Sequence, residues 1–145
     1  MSERTYPPVA AGYRIVRCVA EHGPAALAML KRIRVELASS GRAEYYYMSE
    51  TDEEFLAFFS RPDVVAYGIE RISDGELAAV GAGSFNEEEG ALFRSVVSAL
   101  AGHDRLGYVE FIQVDARYRG LGFQRVLFSY LDGSLEDHGA TALIG

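Results

Sequence analysis

The sequence predicts an α/β chain of the α+β kind, with a mixed central sheet flanked by helices, and three observations carry that prediction. Extended apolar runs alternate with runs whose apolar residues recur at helical spacing. An Asp-Gly turn, "SDG" ending at Gly75, joins two of the extended runs into an antiparallel hairpin. Near the end, a glycine-rich junction connects a strand to a helix and the chain then returns to a short last strand, a unit that closes a parallel pair. Antiparallel and parallel pairs in one chain make the sheet mixed.

The elements follow in order. "YRIVRCV", residues 13–19, mixes β-branched residues with Arg14 and Arg17 and reads as a strand. After Gly23 and Pro24, Leu27, Leu30, Ile33 and Leu37 keep helical spacing until "SSG" stops the pattern at Gly41. Thr51 and Glu54 have capping-box spacing ahead of Phe55, Leu56, Phe58 and Phe59, so a short second helix starts there. Residues 64–85 supply the hairpin, with Gly81 and Gly83 in its second run marking a bulge or a close approach. Residues 88–102 carry Leu92, Phe93, Val96, Ala99 and Leu100 on one face, which predicts a helical insertion. A strand over 107–115 leads to the junction. From Leu121 a helix runs to about Asp137, with Phe123, Leu127, Tyr130, Leu131 and Leu135 inward, and "TALIG" begins the last strand beside 107–115.

The chain has 145 residues, 49% hydrophobic and 24% charged, which fits one globular domain spanning 1–145 and excludes a disordered chain. There is no basic-then-apolar leader and no run of about 18 apolar residues, so no membrane partner is expected and the location read from the sequence is cytoplasmic. The single cysteine, Cys18, shares a strand face with Val16 and Ala20 and reads as core. Net charge is −7, and residues 50–89 hold eleven acids against two bases. With Lys31 as the only lysine, nucleic acid is excluded as a partner, whereas a cationic ligand suits the acidic middle. His22, His103 and His138 have no metal-ligand spacing, so no metal site is expected.

Function is read from the junction, "VDARYRGLGFQRVLFSYL". A strand, a glycine loop and a helix in succession offer unpaired amides and the positive end of a helix dipole to an anion, and Arg117, Arg119 and Arg125 surround the glycines. The loop lacks the Gly-Lys-Ser/Thr of a P-loop, and Arg125 stands at the third glycine of a dinucleotide fingerprint. What remains, Arg117-Tyr118-Arg119-Gly120-Leu121-Gly122, resembles the Arg/Gln, two spacers, Gly, spacer, Gly/Ala pattern of the GNAT superfamily of acyl-CoA N-acetyltransferases. The surrounding segment, residues 108–127, is similar to that superfamily's central strand-loop-helix motif, and the upstream order of elements resembles it as well.

The resemblance implies a GNAT-like fold with acetyl-CoA as cosubstrate, no metal, and a small-molecule or peptide amine as acceptor. It implies that Val114 pairs with the pantetheine arm and that Arg117, Arg119, Gly120, Leu121 and Gly122 line the pyrophosphate. Gln124 departs from the pattern, where a small residue is usual. Tyr45, Tyr46 and Tyr47 fall where similar proteins form the acceptor pocket, and rings beside acids hold cationic amines. Glu110, in an otherwise apolar strand where burial would raise its pKa, is the candidate base or water-positioning group; a carboxylate at a strand edge or paired with an arginine is the other reading of the same residue. The superfamily's last helix, with its acid hydroxyl, and its final two strands have no counterpart in these residues. The expectation is a C-terminally truncated GNAT-like domain, either a piece of a longer acetyltransferase or one that works without that acid. A non-catalytic domain of the same fold, binding acyl-CoA or a protein partner, is the alternative. On either reading, the last strand's outer edge or the apolar face of residues 88–102 offers a surface through which two copies could join in a homodimer.

Overall fold

The computed structural model describes residues 5–41, 51–85 and 105–144. Strands β1 (Tyr13–Arg17), β2 (Val64–Arg71), β3 (Leu77–Ser84), β4 (Leu106–Val114) and β5 (Ala142–Ile144) lie side by side in chain order. The first four form an antiparallel meander, and β5 joins β4 in parallel. Helices α1 (Gly23–Ser39) and α2 (Asp52–Phe58) cover one face and α3 (Phe123–Asp137) the other, as the mixed-sheet prediction requires.

Side-chain alternation divides the core. Val64, Ala66, Val80 and Ala82 point to one face, where Ala26, Met29, Leu30 and Ile33 of α1 and Phe55 of α2, with Phe59 just after it, meet them. The intervening residues, Val65, Ile69 and Ala79, point to the other face and meet Phe123, Val126, Leu127, Leu131 and Leu135 of α3. Every residue of β3 is buried, so its run is apolar on both faces rather than alternating. Cys18 is buried in the α1 side, and burial, followed by the nearby Glu70 carboxylate, pushes its thiol up to about 12, which agrees with the core assignment.

Local signals act where the sequence predicts them. The Thr51 hydroxyl accepts the Glu54 amide at 3.2 Å and caps α2. At the hairpin tip Gly75 adopts φ +71°, Asp74 accepts the Glu76 amide at 3.1 Å, and the Arg71 amide donates to the Glu76 carbonyl at 2.9 Å. Tyr45, Tyr46, Tyr47 and the 88–102 segment lie outside the described residues. Among the described residues no helix is long and apolar enough to cross a membrane.

Two features of β4 set up the site. Pairing with β3 passes from Ala82–Phe111 directly to Gly83–Val109, which makes Glu110 the extra residue of a β-bulge. Pairing with β5 involves only Leu106, Gly107 and Tyr108, so residues 109–114 have no strand partner on that edge among the described residues. The last strand thus lies beside the start of β4 and leaves its second half open.

Gly83 is required at the bulge because a Cβ there would stand 2.8 Å from the Tyr108 carbonyl oxygen and 2.9 Å from Leu135 Cδ1. Gly83→Ala is expected to cost about 1–3 kcal/mol in urea denaturation, the usual range for overpacking a core. A variant as stable as the parent would contradict this packing.

Candidate functional site

The open half of β4 runs straight into the glycine loop. After Val114, Asp115 starts a single 3-10 turn (Ala116–Tyr118), and Gly120 and Gly122 follow with φ +82° and +78°. A Cβ at either glycine would meet no atom within 4 Å, so backbone conformation rather than crowding demands glycine. Gly122 is the N-cap of α3 and has no side-chain cap. Among the described residues the amides of Gly120, Leu121 and Gly122 donate to no internal acceptor, and the first-turn amides of α3 have no acceptor within the helix. These unpartnered amides are the candidate anion cradle, built from backbone.

A cleft of about 510 Å³ faces the cradle. Ile33 and Leu37 of α1 form one wall, Ile112, Gln113 and Val114 of β4 its floor, and Arg119, Gly120, Gly122 and Gln124 its rim. A second cavity of about 630 Å³ adjoins it, sharing Ile112, Gly122 and Gln124 and adding Arg125, Phe128 and Ser129. Both volumes lie in the range of small-molecule sites. Gln124, the residue that departs from the motif, stands where the two cavities meet.

The loop is fixed by Asp115, which sequence reading did not single out. Its side chain is 4% exposed and accepts the Arg117 amide (3.1 Å), Arg117 Nε (3.1 Å) and Nη2 (3.1 Å), and Arg32 Nε (3.1 Å) and Nη2 (2.6 Å). Burial alone would raise its pKa, but the hydrogen bonds from Arg117 and Arg32 outweigh that and hold the carboxyl well below the usual carboxylate range. The only sequence signal was an acid immediately after an apolar strand and two residues before an arginine, a common pattern with no stated partner.

The arginines divide differently from the expectation. Arg117 also donates to Glu76 at 2.7 Å, which directs its guanidinium into the hairpin and away from the cleft lining. Leu121 is 44% exposed and lies outside that lining as well. Arg119 lines the cleft but pairs with Glu36 of α1. Arg125, on the second cavity, has no ion pair among the described residues.

Of the two readings of Glu110, the structure contradicts burial and agrees with an exposed strand-edge carboxylate: the bulge turns the residue outward and its side chain is exposed. The fully buried Ser84 hydroxyl donates to its Oε1 at 2.5 Å and fixes the carboxylate's direction. About 13 Å of strand separates it from Val114. Among the described residues no group of three or more His, Cys, Asp or Glu is placed to hold a metal ion.

Solved structures share this arrangement of strands and helices. One is a protein from Clostridium acetobutylicum described as a predicted acetyltransferase and solved with acetyl-CoA (TM-score 0.65, 14% identity, covering 91% of this chain and 79% of that one). The fold is that of the GNAT acetyltransferases. A GNAT-fold ribosomal-protein-alanine N-acetyltransferase from Brucella melitensis matches at TM-score 0.59 with 16% identity, over 91% of this chain and 77% of that one. A GNAT-fold glucosamine-6-phosphate N-acetyltransferase from Arabidopsis thaliana matches at TM-score 0.52 with 20% identity, over 91% and 80%. No protein-family model and no curated protein sequence matches the chain.

The Asp115 geometry predicts a pH dependence. Because its folded pKa is depressed, the unfolded chain binds more protons below about pH 4, so this group's stabilisation is present above that pH and is lost as the pH falls. Asp115→Asn should lower stability at pH 7 and flatten the fall in urea midpoint between about pH 4 and pH 2. An unchanged acid limb in the variant would contradict the assignment.

Proposed function

We propose that the chain binds acetyl-CoA and transfers its acetyl group to an amine. The observation that carries this reading is the continuity of the open edge of β4 with the amide cradle at Gly120 and Gly122. An extended arm that carries amide groups can add to a bare strand edge as another strand would, while the phosphates at its end sit on the helix N-terminus. With the pyrophosphate on the cradle and the pantetheine along residues 109–114, the thioester reaches the level of Glu110, about 13 Å away along the strand. Arg119 and Arg125 supply positive charge at the phosphate end. Arg117 serves this end indirectly, by holding the loop through Asp115.

In the reaction the amine nitrogen attacks the thioester carbonyl, the C–N bond forms, the C–S bond breaks, and the coenzyme leaves as a thiolate that takes a proton from water. Glu110, oriented by Ser84, takes the amine's proton directly or through a water. The acceptor is a small-molecule or peptide amine, a class that includes the acceptors named for the GNAT-fold enzymes of similar structure. Tyr45, Tyr46 and Tyr47 are assigned to its pocket from the sequence pattern, with the acidic middle of the chain favouring a cation.

Isothermal titration is expected to give saturable acetyl-CoA binding in the parent and none in Arg119→Glu/Gly120→Pro, which reverses a charge and forces a φ that proline cannot adopt. Equal affinity in the two proteins would refute the coenzyme site. Glu110→Gln is expected to leave coenzyme affinity within a few-fold and to lower thiol release with an amine panel by roughly 100- to 10,000-fold. A parallel loss of binding and turnover would make Glu110 structural.

A further inference from the structure

We infer that Glu36 competes with the coenzyme's phosphate for Arg119, and that it sets coenzyme affinity by holding that arginine at the rim of the cleft. This rests on the acetyl-CoA reading above. Arg119 is the arginine on the rim of the cleft, and its guanidinium is bound to the Glu36 carboxylate. Glu36 is itself no part of the cleft lining. A carboxylate thus holds the donor that a phosphate on the cradle would use.

The pairing is held in register by the rest of α1. Arg32 and Glu36 are four residues apart, on one face of the helix, and Arg32 is anchored to the buried Asp115. One turn of helix therefore presents a cation to the start of the loop and an anion to its rim. The Gln113 side chain adds a third tie, donating to the Ala26 carbonyl at 2.9 Å from the floor of the cleft. With α1 fixed at these points, Glu36 stays beside Arg119 rather than drifting into solvent.

Two costs follow for an incoming pyrophosphate. To donate fully to the phosphate Arg119 must give up its Nη1 contact with Glu36, and the Glu36 carboxylate then stands near a second anion without that partner. Arg119 is 47% exposed and Glu36 37%, so the pair has the modest strength of a surface ion pair, enough to tune affinity and too little to block binding. Arg117 cannot substitute, because it is already committed to Asp115 and Glu76.

The test is an acetyl-CoA titration of the parent and four variants. Glu36→Gln, which keeps the shape of the side chain and removes its charge, should bind acetyl-CoA roughly 2- to 5-fold more tightly than the parent. Arg119→Gln should bind more weakly, and adding Glu36→Gln to it should restore less than the gain seen in the parent background, since the contested donor is gone. Asp137→Asn, at the opposite end of α3, removes the same unit of negative charge and should leave affinity unchanged. Weaker or unchanged binding in Glu36→Gln, with a melting temperature like the parent's, would overturn the inference while leaving the coenzyme site intact. An equal gain in Asp137→Asn would overturn it in favour of net charge. A parent that binds no acetyl-CoA would overturn both this inference and the function it rests on.

Discussion

The carboxylate of Asp115 is the interaction on which the site depends. It lies where β4 ends, is almost wholly buried, and accepts five N–H groups from Arg117 and Arg32. A buried carboxylate is tolerable only with its lone pairs satisfied, so the chain on either side is fixed by the need to supply those donors. On one side the loop must turn so that the Arg117 amide and guanidinium both return to it. On the other, α1 must bring Arg32 across the sheet edge. The cradle amides, the floor of the cleft and its α1 wall are therefore positioned by one group.

Charge is distributed by the same logic. The basic loop that reads from the sequence as three arginines around an anion is, in the folded chain, one arginine spent on the loop's own conformation, one shared with α1 and one with no ion pair among the described residues. On the proposed reading the anion is held chiefly by backbone amides, which stay aimed without a side-chain entropy cost. This also accounts for the two positive-φ glycines: a side chain at either would strain the turn that exposes the amides.

Much of the fold is legible in the sequence because the signals are local. Thr51 caps α2, Gly75 turns the hairpin, and Phe123, Leu127, Leu131 and Leu135 keep a four-residue spacing that is the buried face of α3. Gly83 marks its own bulge, since only a missing side chain allows Tyr108 and Leu135 to approach so closely. What escapes is pairing across the fold. Arg32 with Asp115 and Arg119 with Glu36 each span 83 positions, and no periodicity reports such contacts. The exposure of Glu110 escapes for a related reason: strand alternation assigns it a face, but the bulge resets alternation at that residue, and a bulge is a property of two strands together. Ser84, which orients Glu110, carries no signal in an otherwise apolar strand beyond its hydroxyl.

The central claim is that the coenzyme lies along the open edge of β4 with its phosphates on the amides that open α3. Amide hydrogen exchange with and without saturating acetyl-CoA tests it most directly, because the proposed contacts are backbone contacts. The account predicts slowed exchange confined to residues 109–114 and 119–125, with β1 and β2 unchanged. Bound coenzyme that protects some other region and leaves both segments exchanging as before would contradict it.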